Sequence, residues 1–324
     1  MNSLAIISSP LQLLNFKEYI ILNDINDYDI IIISYIKREE NQILNTAKNL
    51  ELNISKIING NRFLQYFKLS KLCSSNINYK RLVIGNFFSD PHLFCYHKLN
   101  IDNLTILDDG MSTSLIKDYY KKDIRIIKSG LLKRLLLLHY FKVELSYPLE
   151  FELFTFMKSK INNQLIKHSF NNFAYLKSQI KNFKIDDQAY FIGQPFVELN
   201  IMSKDLYIRY LTKIRNKYQS IVYIPSRKEN DKNLEFIQKK LNFKIHRTGS
   251  NIEVFFIVNQ KIPKYILGFT SSALITLKNI FYSPDINMDI KSFKVNFDGN
   301  RFSNDIFSNY YNRIKESGIK IYNI

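Results

Sequence analysis

Short apolar runs alternate along most of the chain with longer stretches whose apolar residues recur at helical spacing. In the first half, the short runs predict strands at Leu4–Ser9, Tyr28–Ile36, Arg81–Asn86 and Leu104–Leu107. The stretches between them predict helices near Pro10–Leu22, Glu39–Leu50 and Asn61–Ser75. Such runs, apolar along their whole length, are typical of parallel strands that helices cover on both faces.

The same alternation returns in the second half of the chain. Strands are predicted at Ala189–Ile192, Ser220–Ile224, Phe243–Arg247, Tyr265–Gly268 and Ser292–Phe297. Helices are predicted at Ser203–Tyr218, Asp231–Leu241, Ser272–Ile280 and Asn304–Ser317. Two successive βαβ sets predict an α/β protein with two Rossmann-like domains that face each other across a cleft.

The region between the two halves has a weaker pattern. It predicts a basic helix near Leu131–Phe141 and a long helix from Glu150 to His168. The polar stretch that runs through Asn171 and Asn172 to Asp187 is interpreted as the junction. The expected domains are therefore residues 1–184 and residues 185–324.

Length and composition agree with two ordinary globular domains. The chain has 324 residues, of which 46% are hydrophobic and 14% aromatic, so a filled core is expected and disorder is not. Its two cysteines, Cys73 and Cys95, have no metal-ligand spacing and indicate a reducing compartment. We find no signal-peptide pattern at the N-terminus and no apolar run long enough to span a bilayer. A cytoplasmic protein, free or at the inner face of the membrane, is expected.

The formal net charge of +17 favours anionic partners such as nucleic acid, acidic lipid surfaces, charged glycans and nucleotides. A chain rich in Lys, Asn and Ile, with its cations spread out, is equally expected from an AT-rich genome. The local clusters at Lys121-Lys122, Lys128 to Arg134 and Arg227-Lys228 are better evidence than the total. The cluster at Lys128–Lys133 predicts contact with an anionic membrane. No nucleic-acid-binding motif accompanies the charge, so nucleic acid is not the expected partner.

Two loops after predicted strands of the first half carry candidate chemistry, because ligands of parallel sheets bind at the carboxyl ends of the strands. Ser8-Ser9-Pro10-Leu11-Gln12 offers hydroxyls that would hold an anion or, as the commoner role, cap the next helix. Asp108-Asp109-Gly110 offers a carboxylate that would take the proton from an attacking hydroxyl, provided that burial raises its pKa. The alternative is a solvent-facing Asp-Gly turn. The two aspartates are not a DxD pair, so no metal is expected.

The second half has three such loops. Ser226, Arg227 and Lys228 follow a predicted strand and would bind a phosphate, or form a solvated loop of mixed charge. The loop Gly268-Phe269-Thr270-Ser271-Ser272 puts hydroxyls and backbone N–H groups at a helix N-terminus, which suits a phosphate. Gly193-Gln194-Pro195 would complete a nucleotide pocket.

The order of these motifs resembles that of the bacterial sialyltransferases of glycosyltransferase family 52, which act on lipooligosaccharide and capsule. The matching segments are Ser9-Pro10-Leu11-Gln12, Asp108-Asp109-Gly110, Phe191-Ile192-Gly193-Gln194-Pro195, Tyr223-Ile224-Pro225, Glu253-Val254-Phe255-Phe256 and Phe269-Thr270-Ser271-Ser272-Ala273-Leu274. The resemblance implies a GT-B-like fold and metal-independent, inverting transfer of sialic acid from CMP-sialic acid to a surface glycan. It implies Asp108, or its neighbour Asp109, as the general base, Ser271 and Ser272 on the donor phosphate, and no cofactor.

One position departs from the family pattern. The related enzymes carry a His-Pro pair after the Tyr-Ile-Pro strand, where this chain has Ser226-Arg227. Arg227 and Lys228 would still stabilise a leaving phosphate, and His246 is either a replacement proton donor or an ordinary structural histidine. The departure leaves open a transferase of the same fold that uses another nucleotide sugar, such as a UDP-hexose. A basic nucleic-acid-binding module is the remaining alternative, and a homodimer is left open.

Overall fold

The computed structural model describes residues 2–74, 78–117, 127, 130–158, 161–181, 183–218, 220–283, 286, 288–299 and 304–324. The chain divides into two compact units, an N-terminal unit (Met1–Asn171) and a C-terminal unit (Asn172–Ile324). This division lies before the junction expected at 184/185, because the short helix Ala174–Ser178 packs with the C-terminal unit against the helix Ala273–Phe281.

The N-terminal unit is a seven-stranded parallel sheet with helices between its strands. Its strands are β1 (Ser3–Ile7), β2 (Tyr28–Ser34), β3 (Lys56–Asn59), β4 (Arg81–Ile84), β5 (Asn103–Leu107), β6 (Phe151–Thr155) and β7 (Ile166–Phe170). Its helices are α1 (Pro10–Leu22), α2 (Lys37–Asn49), α3 (Arg62–Cys73), α4 (Asp90–Lys98) and α5 (Leu131–Leu135), which continues as a π-helical turn over Leu136–Tyr140. The strand order is β3-β2-β1-β4-β5-β6-β7.

The C-terminal unit is a six-stranded parallel sheet in the order β10-β9-β8-β11-β12-β13. Its strands are β8 (Lys184–Ile192), β9 (Ile221–Ile224), β10 (Lys244–Ile245), β11 (Lys261–Gly268), β12 (Asp289–Lys294) and β13 (Lys320–Asn323). Its helices are α6 (Ala174–Ser178), α7 (Lys204–Arg215), α8 (Asp231–Leu241), α9 (Ile252–Val258), α10 (Ala273–Phe281) and α11 (Asn304–Glu316).

Each unit has its own hydrophobic core, built from the apolar strands that the sequence pattern predicts. In the N-terminal unit Leu4, Ile6 and Ile31 are almost fully buried, and in the C-terminal unit Phe191 and Leu267 are. In both sheets the strand order reverses direction beside the first strand of the unit, between β1 and β4 and between β8 and β11. Such switch points open a crevice at the carboxyl ends of the strands, where ligands of parallel α/β sheets bind.

The prediction of a long helix from Glu150 to His168 is wrong. The chain there forms β6 and β7, which pair in parallel with each other, and β6 also pairs with β5. Phe151, Leu153 and Phe154 are buried, and Glu152 accepts hydrogen bonds from Tyr19 and Ser169, so pairing over a long sequence distance overrides the local helical spacing. The helix expected at Leu131–Phe141 forms as α5 and its π-helical turn.

Candidate functional site

Asp109 follows β5 and lies half-buried at the carboxyl edge of the N-terminal sheet. Its Oδ1 accepts hydrogen bonds from Gln12 Nε2 at 2.8 Å and from Ser9 Oγ at 3.3 Å. Its Oδ2 accepts one from Asn86 Nδ2 at 2.6 Å. Ser9 precedes α1, Gln12 lies in the first turn of α1 and Asn86 follows β4, so the three donors come from either side of the switch point and fix the orientation of this carboxylate.

The loop after β1 caps the next helix, as expected, and it also contacts Asp109. Ser9 caps α1, since its Oγ accepts from the backbone N of Gln12 at 3.3 Å, and it also donates to Asp109. Gln12 Oε1 accepts from the backbone N of Ser8 at 2.7 Å, so the amide group is turned with its nitrogen toward Asp109.

Asp108 is completely buried, and both of its carboxyl oxygens accept hydrogen bonds from neighbours. Oδ1 accepts from the backbone N of Gly110 at 2.8 Å and from Thr113 Oγ1 at 3.1 Å, and Thr155 Oγ1 donates to Oδ2. Burial raises the pKa of the Asp108 carboxyl to about 7. Of the two aspartates, therefore, Asp109 has surface that a bound molecule can contact, and Asp108 shapes the turn beneath it.

Three supporting residues around Asp109 are missed by the sequence reasoning. A Cβ on Gly85 would lie 2.1 Å from Gln12 Oε1, so any side chain at this position would displace Gln12 where it passes the end of β4. Asn86 follows it and donates to Asp109, while its own backbone N donates to the Nδ1 of the buried His92 at 3.2 Å. The available signal was the Gly-Asn pair at the end of the strand predicted at Arg81–Asn86.

Gln194 and Thr270 join the ends of β8 and β11 at the switch point of the C-terminal unit. Gln194 Nε2 donates to Thr270 Oγ1 at 3.1 Å, and the backbone N of Thr270 donates to Gln194 Oε1 at 2.8 Å. Thr270 is buried, so its hydroxyl belongs to this clamp. The structure therefore brings together two loops that the sequence predicts for one pocket.

Ser271 and Ser272 are half-buried at the N-terminus of α10. Ser271 Oγ accepts from the backbone N of Ala273 at 3.3 Å, whereas the Ser272 side chain makes no capping hydrogen bond to its helix. Ser292 Oγ donates to the carbonyl of Phe269 at 2.6 Å and fixes the approach to the turn. Helix N–H groups and adjacent hydroxyls are the usual elements of a phosphate site, and the Ser272 hydroxyl is not used in capping.

Glu229 is a buried carboxylate in the loop for which the sequence left open phosphate binding or a solvated loop of mixed charge. It accepts hydrogen bonds from Tyr223 OH and from the backbone N of Ser226, and burial raises its pKa to about 7. A Cβ on Gly193 would lie 2.6 Å from Glu229 Oε2 and equally close to Tyr223 OH, so a larger residue there would displace these two buried side chains. The loops after β8 and β9 thus pack on one buried group.

Arg227 and Lys228, the two cations of the loop after β9, differ in burial. Arg227 is half-buried and Lys228 is exposed, and both follow Ser226, whose backbone N donates to Glu229.

His246 lies after β10 with its ring 5.1 Å from that of Phe255. Burial, together with nearby Lys244, lowers the pKa of His246, so its neutral form dominates at pH 7 and it is a poor proton donor.

Glu253, in the first turn of α9, is a further buried carboxyl group. Thr276 Oγ1 donates to its Oε1, while Oε2 has no hydrogen-bond partner among the described residues. Burial raises the pKa of Glu253 to about 7. Glu253 lies in one of the segments that match the sialyltransferase pattern, but the sequence predicts no role for it.

Two general findings concern the described part of the chain. No group of three or more His, Cys, Asp or Glu side chains there is arranged to hold a metal ion. No helix there has the length and apolarity required to cross a membrane.

No protein-family model matches the sequence, and the search of curated proteins finds no match. Solved structures do match over almost the whole chain. Staphylococcus aureus MnaA with UDP has a TM-score of 0.57 at 11% identity, covering 97% of this chain and 87% of that one. A UDP-GlcNAc 2-epimerase from Neisseria meningitidis bound to UDP-GlcNAc has a TM-score of 0.54 at 10% identity, covering 92% and 84%.

A Photobacterium damselae sialyltransferase GT-B domain is also similar, with a TM-score of 0.48 at 13% identity and full coverage of both chains. The parallel sheets, their strand orders and the matches to MnaA and to the Neisseria meningitidis epimerase establish a GT-B-like α/β fold with two Rossmann-like units. At such low identities the likeness concerns the fold and not the activity.

Proposed function

We propose that the protein is a glycosyltransferase that moves a sugar from a nucleotide donor to a hydroxyl group of a glycan, with inversion at the anomeric carbon. The observation that carries the proposal is Asp109: a half-buried carboxylate, fixed by three side-chain donors, at the carboxyl edge of a parallel sheet. Such a group is suited to orient an acceptor hydroxyl and to take its proton.

In the proposed reaction the acceptor oxygen forms a bond to the anomeric carbon as the bond from that carbon to the phosphate oxygen breaks. The electron pair of the broken bond leaves with the nucleotide, and the proton of the acceptor hydroxyl goes to the Asp109 carboxylate. Asp108 does not contact the acceptor in this scheme. It is a positioning residue, since its oxygens hold the turn through Gly110 and Thr113.

The C-terminal unit is the proposed site of the nucleotide. The Ser272 hydroxyl and the N-terminus of α10 would contact the phosphate, and Ser271 would assist. Arg227 and Lys228 would stabilise the negative charge that develops on the leaving group. Gly193, Gln194 and Pro195 would form the adjoining wall of the pocket, and Ser226 would contribute its hydroxyl.

The motif order supports CMP-sialic acid as the donor and a surface glycan of lipooligosaccharide or capsule type as the acceptor. The absence of a His-Pro pair at Ser226-Arg227 and the likeness to MnaA with UDP and to an epimerase bound to UDP-GlcNAc favour a second candidate. That candidate is an enzyme that acts on a UDP-sugar, either by transfer or by epimerisation. The cytoplasmic location expected from the sequence stays a prediction.

A nucleotide-binding screen by thermal shift separates the donor classes. A nucleotide present at 100 times its Kd stabilises the folded protein by about 2.7 kcal/mol. We expect CMP to raise the melting temperature more than UDP or GDP does, and Ser272→Ala to reduce this rise. A rise with UDP alone would favour the second candidate, and no rise with any nucleotide would contradict nucleotide-sugar chemistry.

Substitution of Asp109 tests the role of the carboxylate. Asp109→Asn keeps the shape and one of the two accepting oxygens but removes the base, so transfer should fall by about 100-fold or more while nucleotide binding persists. Asp102→Asn is the matched control, because Asp102 is exposed on the same unit before β5. Full transfer activity in Asp109→Asn would contradict the proposed mechanism.

A further inference from the structure

Large apolar side chains are exposed on two helical segments of the N-terminal unit. On α3 they are Phe63, Leu64 and Phe67, and on α5 and its π-helical turn they are Leu131, Leu132, Leu135 and Tyr140. Leu131 and Leu132 are 73% and 78% exposed, the largest fractions among the exposed large hydrophobic residues. Contiguous exposed apolar surface of this kind marks an interaction site rather than ordinary surface.

The two segments form one surface. The ring of Phe67 lies 5.1 Å from the ring of Tyr140 and 5.1 Å from that of Phe141, and Tyr66 packs beneath against Phe141. Phe63 lies one turn before Phe67 on α3, and Leu131 and Leu135 are one turn apart on α5. We call these exposed apolar residues of the two segments the α3–α5 surface.

Cations accompany the α3–α5 surface, and its two segments contain no acidic residue. Residues 62–73 and 131–142 have neither Asp nor Glu, and their exposed cations are Arg62, Lys68, Lys71, Arg134 and Lys142. Lys133 is not among them, because it is mostly buried in an ion pair with Asp90. Lys128 of the cluster expected from the sequence lies outside the described residues.

We propose that the α3–α5 surface docks on an anionic lipid bilayer, with Leu131 and Leu132 inserted at the level of the headgroups. An interfacial helix of this type combines apolar side chains that enter the acyl boundary with cations that contact acidic headgroups. A second copy of the chain fits less well, since a twofold contact would bring cations against the same cations. Nucleic acid would use the cations but not the aliphatic side chains.

The position of this surface gives the docking a consequence. α3 begins just after the carboxyl end of β3, and Asp90, the partner of Lys133, is in the first turn of α4 after β4. The surface therefore borders the sheet edge at which Asp109 lies. If the proposed transfer function holds, an acceptor anchored in the same bilayer reaches that edge without leaving the membrane; the docking itself does not depend on that function.

Co-sedimentation with vesicles tests the docking on the full chain. The protein should sediment with vesicles of phosphatidylcholine and phosphatidylglycerol at low salt, and much less with phosphatidylcholine alone. Arg62→Gln combined with Arg134→Gln should lower the partition coefficient about 25-fold, since each cation near such a surface contributes about fivefold. Leu131→Ser combined with Leu132→Ser should lower it about tenfold or more at unchanged charge.

Matched controls come from the C-terminal unit. Val258→Ser removes an exposed apolar side chain elsewhere, and Lys232→Gln combined with Lys239→Gln removes two exposed cations. Both controls should bind vesicles almost as the unaltered chain does. The proposal is overturned if the unaltered chain does not bind, if the leucine pair has no effect, or if the control cations matter as much. It is also overturned if sedimentation velocity shows a dimer that Leu131→Ser and Leu132→Ser dissociate while vesicle binding stays unchanged.

Discussion

Asp108→Asn should make the stability of the N-terminal unit less dependent on pH. The Asp108 carboxyl has a pKa of about 7 in the folded chain because it is fully buried, and about 4 when the chain is unfolded. Between these values the folded state holds a proton that the unfolded state has lost, so the stability due to this group is complete at low pH and is lost as the pH rises through 7. The loss is about 4 kcal/mol in all, of which about 2.5 kcal/mol falls between pH 5 and pH 8.

Thermal unfolding at a series of pH values measures this effect. For a unit of this size about 2.5 kcal/mol corresponds to a fall of roughly 5–10 °C in Tm between pH 5 and pH 8. Asparagine resembles the protonated carboxyl and has no proton to lose, so the variant should lack that share of the fall. Asp102→Asn, at an exposed position, should keep the behaviour of the unaltered chain. The same pH dependence in Asp108→Asn and in the unaltered chain would refute the reasoning.

Three further predictions concern the two sheet edges. Gly193→Ala should destabilise the C-terminal unit by about 1–3 kcal/mol, measured by urea unfolding, because the new Cβ would lie 2.6 Å from Glu229 Oε2; an unchanged transition would contradict this packing. Ser272→Ala should weaken nucleotide binding about tenfold and Ser271→Ala less, by isothermal titration, because the Ser271 hydroxyl also accepts from Ala273. The reverse order would reassign the phosphate contact. Asn86→Ala should lower kcat of transfer about 10- to 100-fold with little change in KM, since it removes one of the donors that orient Asp109; a change confined to KM would indicate a role in binding.

Local sequence patterns were sufficient to predict most of the parallel strands and the helices that cover them. α1 and α8 have the predicted bounds, and most of the other predicted helices and strands differ by only a few residues at their ends. The pattern failed where pairing over a long sequence distance decides the structure. Glu152 on β6 is of a residue type that is depleted in strands, and its partners Tyr19 and Ser169 lie outside the predicted helix, so nothing local indicated a strand there.

The sequence predicted which loops form the candidate site, but it did not predict the burial or the hydrogen bonds of the residues in those loops. Strand ends identified Asp109, Gln12 and Thr270 as residues of the two edges, because parallel strands bring their carboxyl ends together. The same rule did not show that Asp108 would be buried and Asp109 half-exposed, since both follow β5 directly. Nor did composition show that Glu229, in a loop rich in charge, would be buried beside Gly193.

The most direct test of the proposed function follows the products of one reaction by NMR. The purified full chain is incubated with CMP-sialic acid or UDP-GlcNAc and a panel of oligosaccharide acceptors with different terminal sugars. The account predicts that one donor yields a new glycosidic bond of inverted anomeric configuration, with one nucleotide released for each bond formed, and that Asp109→Asn abolishes this product. Conversion of UDP-GlcNAc to its 2-epimer without a new glycosidic bond, or equal product formation by Asp109→Asn, would contradict it.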